Sequence, residues 1–421
     1  MSEDTQADHS TLSELVAPVD EKIAVKKDPN LPYVGLEHIG QRNSQLLGWA
    51  PSETSVSVNS VFEAGDVLFG KLRPNLRKCV SAPFSGYCST DILVLRVRNG
   101  NDPGFAARVF QTEAVGAEAE RTSMGTKMPR TSWKGLSQFR VPIPEPKHQS
   151  KIAEVLDTLD AAIRGTEGVV AKLRAMKQGL LHDLLTRGID ANGDLRPPQP
   201  EAPHLYHQTP LGWLPKEWEV VPLGSQTLEL AQGWSPDCPA EAALAHEWGV
   251  LKTTAVVWSG YQDQENKRLP EGMKPRPHLQ VGAGDILITR AGPSSRVAVV
   301  AHVPATRDKL MISDKLYRLR VIPQQNPAFL ALAMGSTSVQ REITKTISGM
   351  AESQTNISQS TLKPLPVPRP TRPEQDAIVQ TLHAQATKLD KEERLLEKLR
   401  LQKSGLMDDL LTGRVPVTPL L

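Results

Sequence analysis

The sequence predicts an α+β chain in which two globular modules are separated by an antiparallel pair of long coiled-coil helices, the whole forming an internal repeat with pseudo-twofold symmetry. Three observations carry this. A helical segment recurs at a constant offset, each copy holds heptad apolar spacing, and the stretch before each copy alternates short strand-like runs with turn residues.

The first module is assigned to residues 1–144, where Asp91–Val97 (DILVLRV) reads as a strand and Ala64–Phe69 (AGDVLF) as a turn leading into another. A long helix follows over 145–189. Pro146 stands at its start, no proline interrupts it, and Ile152, Leu156, Leu159, Ile163, Val170, Leu173, Leu180 and Leu184 alternate steps of four and three, with Thr166 and Lys177 as polar interruptions. Residues 190–207 (DANGDLRPPQPEAPHLYH) read as a polar, proline-rich linker. The second module covers 208–370, with Asp314–Val321 (DKLYRLRV) as a strand and Ala283–Ile288 (AGDILI) as the counterpart of the first module's turn. The second helix runs over 371–415, with Ile378, Leu382, Leu389, Leu396, Leu399, Leu406 and Leu410 on its seam and Gln385, Glu392 and Lys403 at the missed positions. Residues 416–421 are a tail.

The repeat is unambiguous in the helices. Lys172–Thr186 (KLRAMKQGLLHDLLT) matches Lys398–Thr412 (KLRLQKSGLMDDLLT) at 10 of 15 positions, offset by 226, and the same offset pairs Gln149 with Gln375 and VPIP at Val141–Pro144 with VPRP at Val367–Pro370. The modules agree only weakly, and at the AGD turn the offset has drifted to 219. Helices that stay alike do one job twice, whereas modules that diverge on a shared scaffold contact different things. A helix of about 38 residues spans roughly 57 Å, against a DNA helical repeat of about 34 Å. Such a rod can hold two readers on separate stretches of one duplex. The competing reading is a two-module coiled-coil adaptor that binds no nucleic acid.

Composition bounds the rest. Cys79, Cys88 and Cys238 are scattered and odd in number, so neither a disulfide framework nor a CxxC metal knuckle is available, which fits a reducing cytoplasm. The N-terminus is polar and no run of about 18 apolar residues occurs, so the chain is expected to be neither exported nor membrane-spanning. With 49 basic and 47 acidic residues, any surface for a polyanion must be a local patch.

Several segments together resemble the specificity subunits of type I restriction-modification systems. Arg372–Val415 and its partner Pro146–Ile189, with their closing GLLHDLLT and GLMDDLLTGRV, look like that family's helix ends; Thr209–Gly224 (TPLGWLPKEWEVVPLG) looks like the usual opening of a recognition domain, and Tyr33–Ile39 (YVGLEHI) and Trp248–Val256 (WGVLKTTAV) like the first strand inside one. The first half departs in lacking a GW...W opening before Tyr33. The resemblance implies two target-recognition domains and a non-catalytic, DNA-binding role. It further implies a helical dock for two modification (methyltransferase) subunits and, in the full complex, restriction (motor-nuclease) subunits. No cofactor is expected in this chain; S-adenosylmethionine, ATP and magnesium are expected on the partners.

Four loops are candidates for touching DNA. Gly70–Lys78 (GKLRPNLRK) offers Lys71, Arg73, Arg77 and Lys78 with no acid among them, and its counterpart Thr289–Arg296 (TRAGPSSR) offers Arg290 and Arg296 among small residues. Arg121–Arg130 (RTSMGTKMPR) adds Arg121, Lys127 and Arg130, and Ser348–Asn356 (SGMAESQTN) adds Gln354 and Asn356, side chains suited to adenine edges. Enzyme readings fare worse. A methyltransferase needs a glycine-rich cofactor turn after a strand, and GAGD at Gly282–Asp285 precedes one instead. Pro236-Asp237 with Glu265-Asn266-Lys267 superficially fits a metal-dependent nuclease, yet Glu265 lies in a polar run rather than on an apolar strand. No histidine clusters with cysteines or carboxylates, so no metal is expected.

Overall fold

In a computed structural model the chain is described over residues 9–24, 28–43, 45–55, 57–98, 100–347, 355–415 and 417. It divides into two compact units, one comprising residues 1–170 with 392–421 and the other residues 171–391. The two long helices run through both, so each unit holds one module and one stretch of each helix.

The first module is built on a four-stranded antiparallel sheet of β1 (Val16–Pro18), β2 (Val67–Gly70), β3 (Cys79–Ser81) and β4 (Ile92–Val97), in the order β1-β4-β2-β3. Its strands read as near-continuous apolar runs because both faces are covered. Val67, Phe69 and Leu95 point to one face, where they meet helices α1 (Pro103–Val109) and α2 (Glu113–Arg121) and the long helix α3 (Pro146–Thr186). Leu68, Ile92 and Val94 point to the other, against a five-stranded sheet that contributes Val34, Phe62 and Cys88. This is the two-residue period of a strand turned into two cores.

The second module repeats that plan: β5 (Thr227–Gln232), β6 (Ile286–Thr289), β7 (Val300–His302) and β8 (Leu316–Val321) lie in the order β5-β8-β6-β7. Ile286, Ile288 and Leu319 face α4 (Pro327–Met334), α5 (Thr337–Ile347) and the long helix α6 (Arg372–Leu411), while Leu287 and Leu316 face the other core with Val250 and Ile312. The repeated AGD turn is real in both. Gly65 and Gly284 take φ of +91° and +88°, which favours glycine, and Asp66 and Asp285 then turn back to accept the amide protons of Glu63 and Gly282 at 2.8 Å each. Each carboxylate is also held by an arginine of the neighbouring strand, Arg96 or Arg320.

The seam expected from heptad spacing is buried or half-buried at every position, and α3 and α6 run antiparallel within each unit. In the first, Ile152 and Leu156 of α3 share a core with Leu410 and Leu411 of α6, and Lys403 pairs with Asp160 at 2.6 Å and Arg400 with Glu167 at 2.7 Å. In the second, Leu184 and Leu185 share a core with Ile378 and Leu382. Head and helix are joined by a repeated device. Gln149 and Gln375, both fully buried, each accept the backbone N–H of a helix-capping residue, Asp102 at 2.9 Å and Asn326 at 2.7 Å, and each donates to a proline carbonyl, Pro144 or Pro370.

The linker, residues 190–207, docks on the second unit: Arg196 is buried and donates to Glu374 at 2.6 Å and to Glu217 at 2.6 Å, Tyr206 Oη donates to the Pro197 carbonyl, and the indole N–H of Trp218 also reaches Glu374. Proline and polar composition marked the segment as irregular, and it holds no helix or strand before the 3₁₀ turn Pro203–Leu205 and the strand Tyr206–Thr209, but irregular backbone can dock when a buried carboxylate gathers its donors.

Candidate nucleic-acid interface

In each module the loop after the second strand meets the loop before the last short helix. In the first, Leu72 forms a β-bridge with Arg130, and the Arg73 amide donates to the Pro129 carbonyl at 2.8 Å, so Gly70–Lys78 and Arg121–Arg130 make one surface. In the second, Ala291 and Gly292 pair antiparallel with Asn356 and Thr355. The scaffold therefore brings together, twice, the two loops that composition singled out separately.

The first loop is shaped by a 3₁₀ turn, Pro74–Leu76, flanked by Arg73 and Arg77 in the left-handed region at φ +51° and +49°. Non-glycine residues seldom sit there, and two in one loop turn the chain sharply between β2 and β3. Ala298, two residues before β7 as Arg77 is two before β3, repeats the conformation at φ +61°.

Side-chain directions divide the expected contacts. Arg73 and Lys127 are exposed, and among the described residues their side chains meet no hydrogen-bond or ion-pair partner; Lys71 is half-buried, and its charge acts on Asp91. Arg130 is half-exposed and held by two hydrogen bonds to Asp91, at 2.9 and 3.2 Å, which keep that carboxyl below the usual range. Arg121 is exposed and paired with Glu118 one turn back on α2. Arg77 is corrected: it turns inward, buried against Gly116, and pairs with Glu113 and, at 3.9 Å, Glu120. Lys78 bends back to the Leu36 carbonyl at 2.6 Å.

In the second module Arg290 donates to the Tyr317 hydroxyl at 3.0 Å and the Asp314 carbonyl at 3.1 Å, and Arg296 to the Thr253 carbonyl at 2.9 Å. Both are half-buried, and both brace the loop as much as they present charge. Asn356 is exposed beside them, and Gln354 lies outside the described residues. Composition missed Met124, which projects from the Arg121–Arg130 loop with 83% of its surface exposed.

Glu265 accepts from Thr254 and lies 3.7 Å from Lys252, as a surface brace does, and among the described residues no three His, Cys, Asp or Glu side chains gather to hold a metal ion. No helix among them is long and apolar enough to cross a membrane.

Residues 21–174 and 252–401 match the family model of the type I restriction modification DNA specificity domain, once per module. Among curated proteins, the chain is 45% identical over 173 residues to the type I restriction enzyme EcoEI specificity subunit of Escherichia coli, a match covering 40% of this chain and 29% of that one. It is 23% identical over 309 residues to the type I restriction enzyme MjaVIII specificity subunit of Methanocaldococcus jannaschii, covering 70% and 67% respectively. The matched stretch thus spans less than a third of the first relative and about two thirds of the second. Two solved structures share the fold over 98% of both chains: the HsdS subunit of Thermoanaerobacter tengcongensis, with a TM-score of 0.52 at 18% identity, and the type I restriction-modification S subunit of M. genitalium, with 0.57 at 12%.

Proposed function

Because the chain belongs to the family of type I restriction-modification DNA specificity domains and carries two of them on a duplicated helix, we propose that it reads a bipartite, asymmetric DNA site. Each module reads one half, and the chain performs no chemistry itself. The observation that carries the reading is the repeated convergence of two loops on one scaffold with different side chains at each tip: Arg73, Lys127 and Met124 in one module, Arg290, Arg296 and Asn356 in the other. A shared frame with changed tips is what two different DNA words require.

The long helices are proposed as the dock for two modification (methyltransferase) subunits, with restriction subunits joining them in the full complex. S-adenosylmethionine, ATP and magnesium belong, in this proposal, to those partners, and the assembly works in the cytoplasm. In support, Val169 of α3 and Leu395 of α6, related by the 226-residue offset, are both exposed beside the buried seam residues Val170 and Leu396. The test is a module exchange. Replacing residues 208–370 by the corresponding module of another specificity subunit, in a host that also supplies the modification subunits, should change one half of the methylated site and leave the other intact. An unchanged methylome refutes the proposal.

A further inference from the structure

Met124 is the most exposed large apolar side chain among the described residues, and its backbone is held in a closed turn. The Met124 and Arg130 backbones exchange two hydrogen bonds of 2.9 Å, Gly125 makes the turn at φ +97°, and Arg130 is in turn tied to Leu72 by a bridge and to Asp91 by its guanidinium. Around this fixed tip stand two cations that no described residue neutralises, Arg73 and Lys127. Unpaired cations draw the tip to phosphates, and an apolar group carried with them arrives at the groove.

In the major groove the one apolar feature that distinguishes bases is the C5-methyl of thymine. A thioether side chain is soft enough to pack on it in more than one rotamer. We infer that Met124 is a specificity-determining residue that packs on a thymine methyl in the half-site read by the first module. The same register of the repeat, 226 residues on, carries Met350, which lies outside the described residues. This inference rests on the proposed DNA-reading role.

The experiment uses the full chain assembled with its modification subunits and duplexes bearing its methylated site. Each thymine on either strand is replaced in turn by deoxyuridine, which keeps every hydrogen-bonding group and removes only the methyl. Wild type should lose about fourfold in affinity at one thymine, the worth of one buried methyl group. Met124→Ala should bind the thymine and uridine duplexes equally at that position, and Met124→Leu should keep part of the difference. Because the side chain is exposed, neither substitution disturbs a core. Identical uridine profiles for wild type and Met124→Ala overturn the inference. A scrambled duplex, free of uridine, separates the failures: if wild type does not prefer its own site over it, the DNA reading itself falls.

Discussion

Arg77 and Arg73 stand four residues apart in one basic loop and do opposite work. Arg77 is 9% exposed, packed against Gly116 and paired with the exposed carboxylates of Glu113 and Glu120, so Arg77→Ala should cost about 1 kcal/mol, mostly through lost packing; denaturant unfolding checks this, and wild-type stability refutes it. Arg73 and Lys127 point to solvent. Removing both should leave stability unchanged and reduce the slope of log affinity against log salt by about 2, since each cation that neutralises a phosphate adds about 1 to it. Anisotropy titrations at several salt concentrations measure that slope, and an unaltered slope places both residues off the DNA. The cysteines give a third prediction. Burial pushes the Cys88 thiol up to about 12 and Cys79 higher still, while half-buried Cys238 is raised less. Thiolate is the reactive form, so alkylation of the native chain at pH 8 should mark Cys238 first, and early labelling of Cys79 would show that the first module opens readily. Charge and loop were legible at this scale; direction was not, because whether a guanidinium points outward depends on acids such as Glu113 and Asp91 that lie far from it in sequence.

Among the elements, heptad spacing fixed the long helices almost to their ends, 145–189 against Pro146–Thr186 and 371–415 against Arg372–Leu411. A strong period with proline at its edge leaves little choice. The pairing of loops across each module was not readable, since Leu72–Arg130 and Ala291–Asn356 are long-range pairings that no local pattern encodes. The two glutamines lie between these cases: their offset of 226 marked them as a pair, but only the structure shows what they hold. Each buried amide side chain satisfies a partly buried backbone N–H and a proline carbonyl, so Gln149→Ala and Gln375→Ala should each cost about 2 kcal/mol. The loss should be local. Hydrogen exchange should quicken in α1 and the start of α3 for the first variant, and in α4 and the start of α6 for the second; uniform acceleration in both units would show that the joints are not independent.

At the scale of the whole chain, the repeat is a frame from which the two halves have departed. Asp160 gathers Arg108 of the first head and Lys403 of α6, at 2.5 and 2.6 Å, whereas the 226-residue counterpart of Asp160 is Ala386 and the counterpart of Lys403 is Lys177, exposed and without a partner among the described residues. Charges used in this way inside the protein are not available to DNA, and the balance of 49 basic to 47 acidic residues leaves little surplus. The chain alone should therefore bind duplex DNA only in the non-specific range, with Kd about 10⁻⁴–10⁻⁶ M at physiological salt. Adding modification subunits should tighten binding to the methylated site by a factor of about 10³ or more over random duplex, the lower bound expected of a specific complex. Anisotropy with site and random duplexes, with and without the partners, decides the matter: nanomolar, site-selective binding by the isolated chain would mean that its own exposed cations and loop tips suffice, and that the helices dock partners for chemistry rather than for recognition.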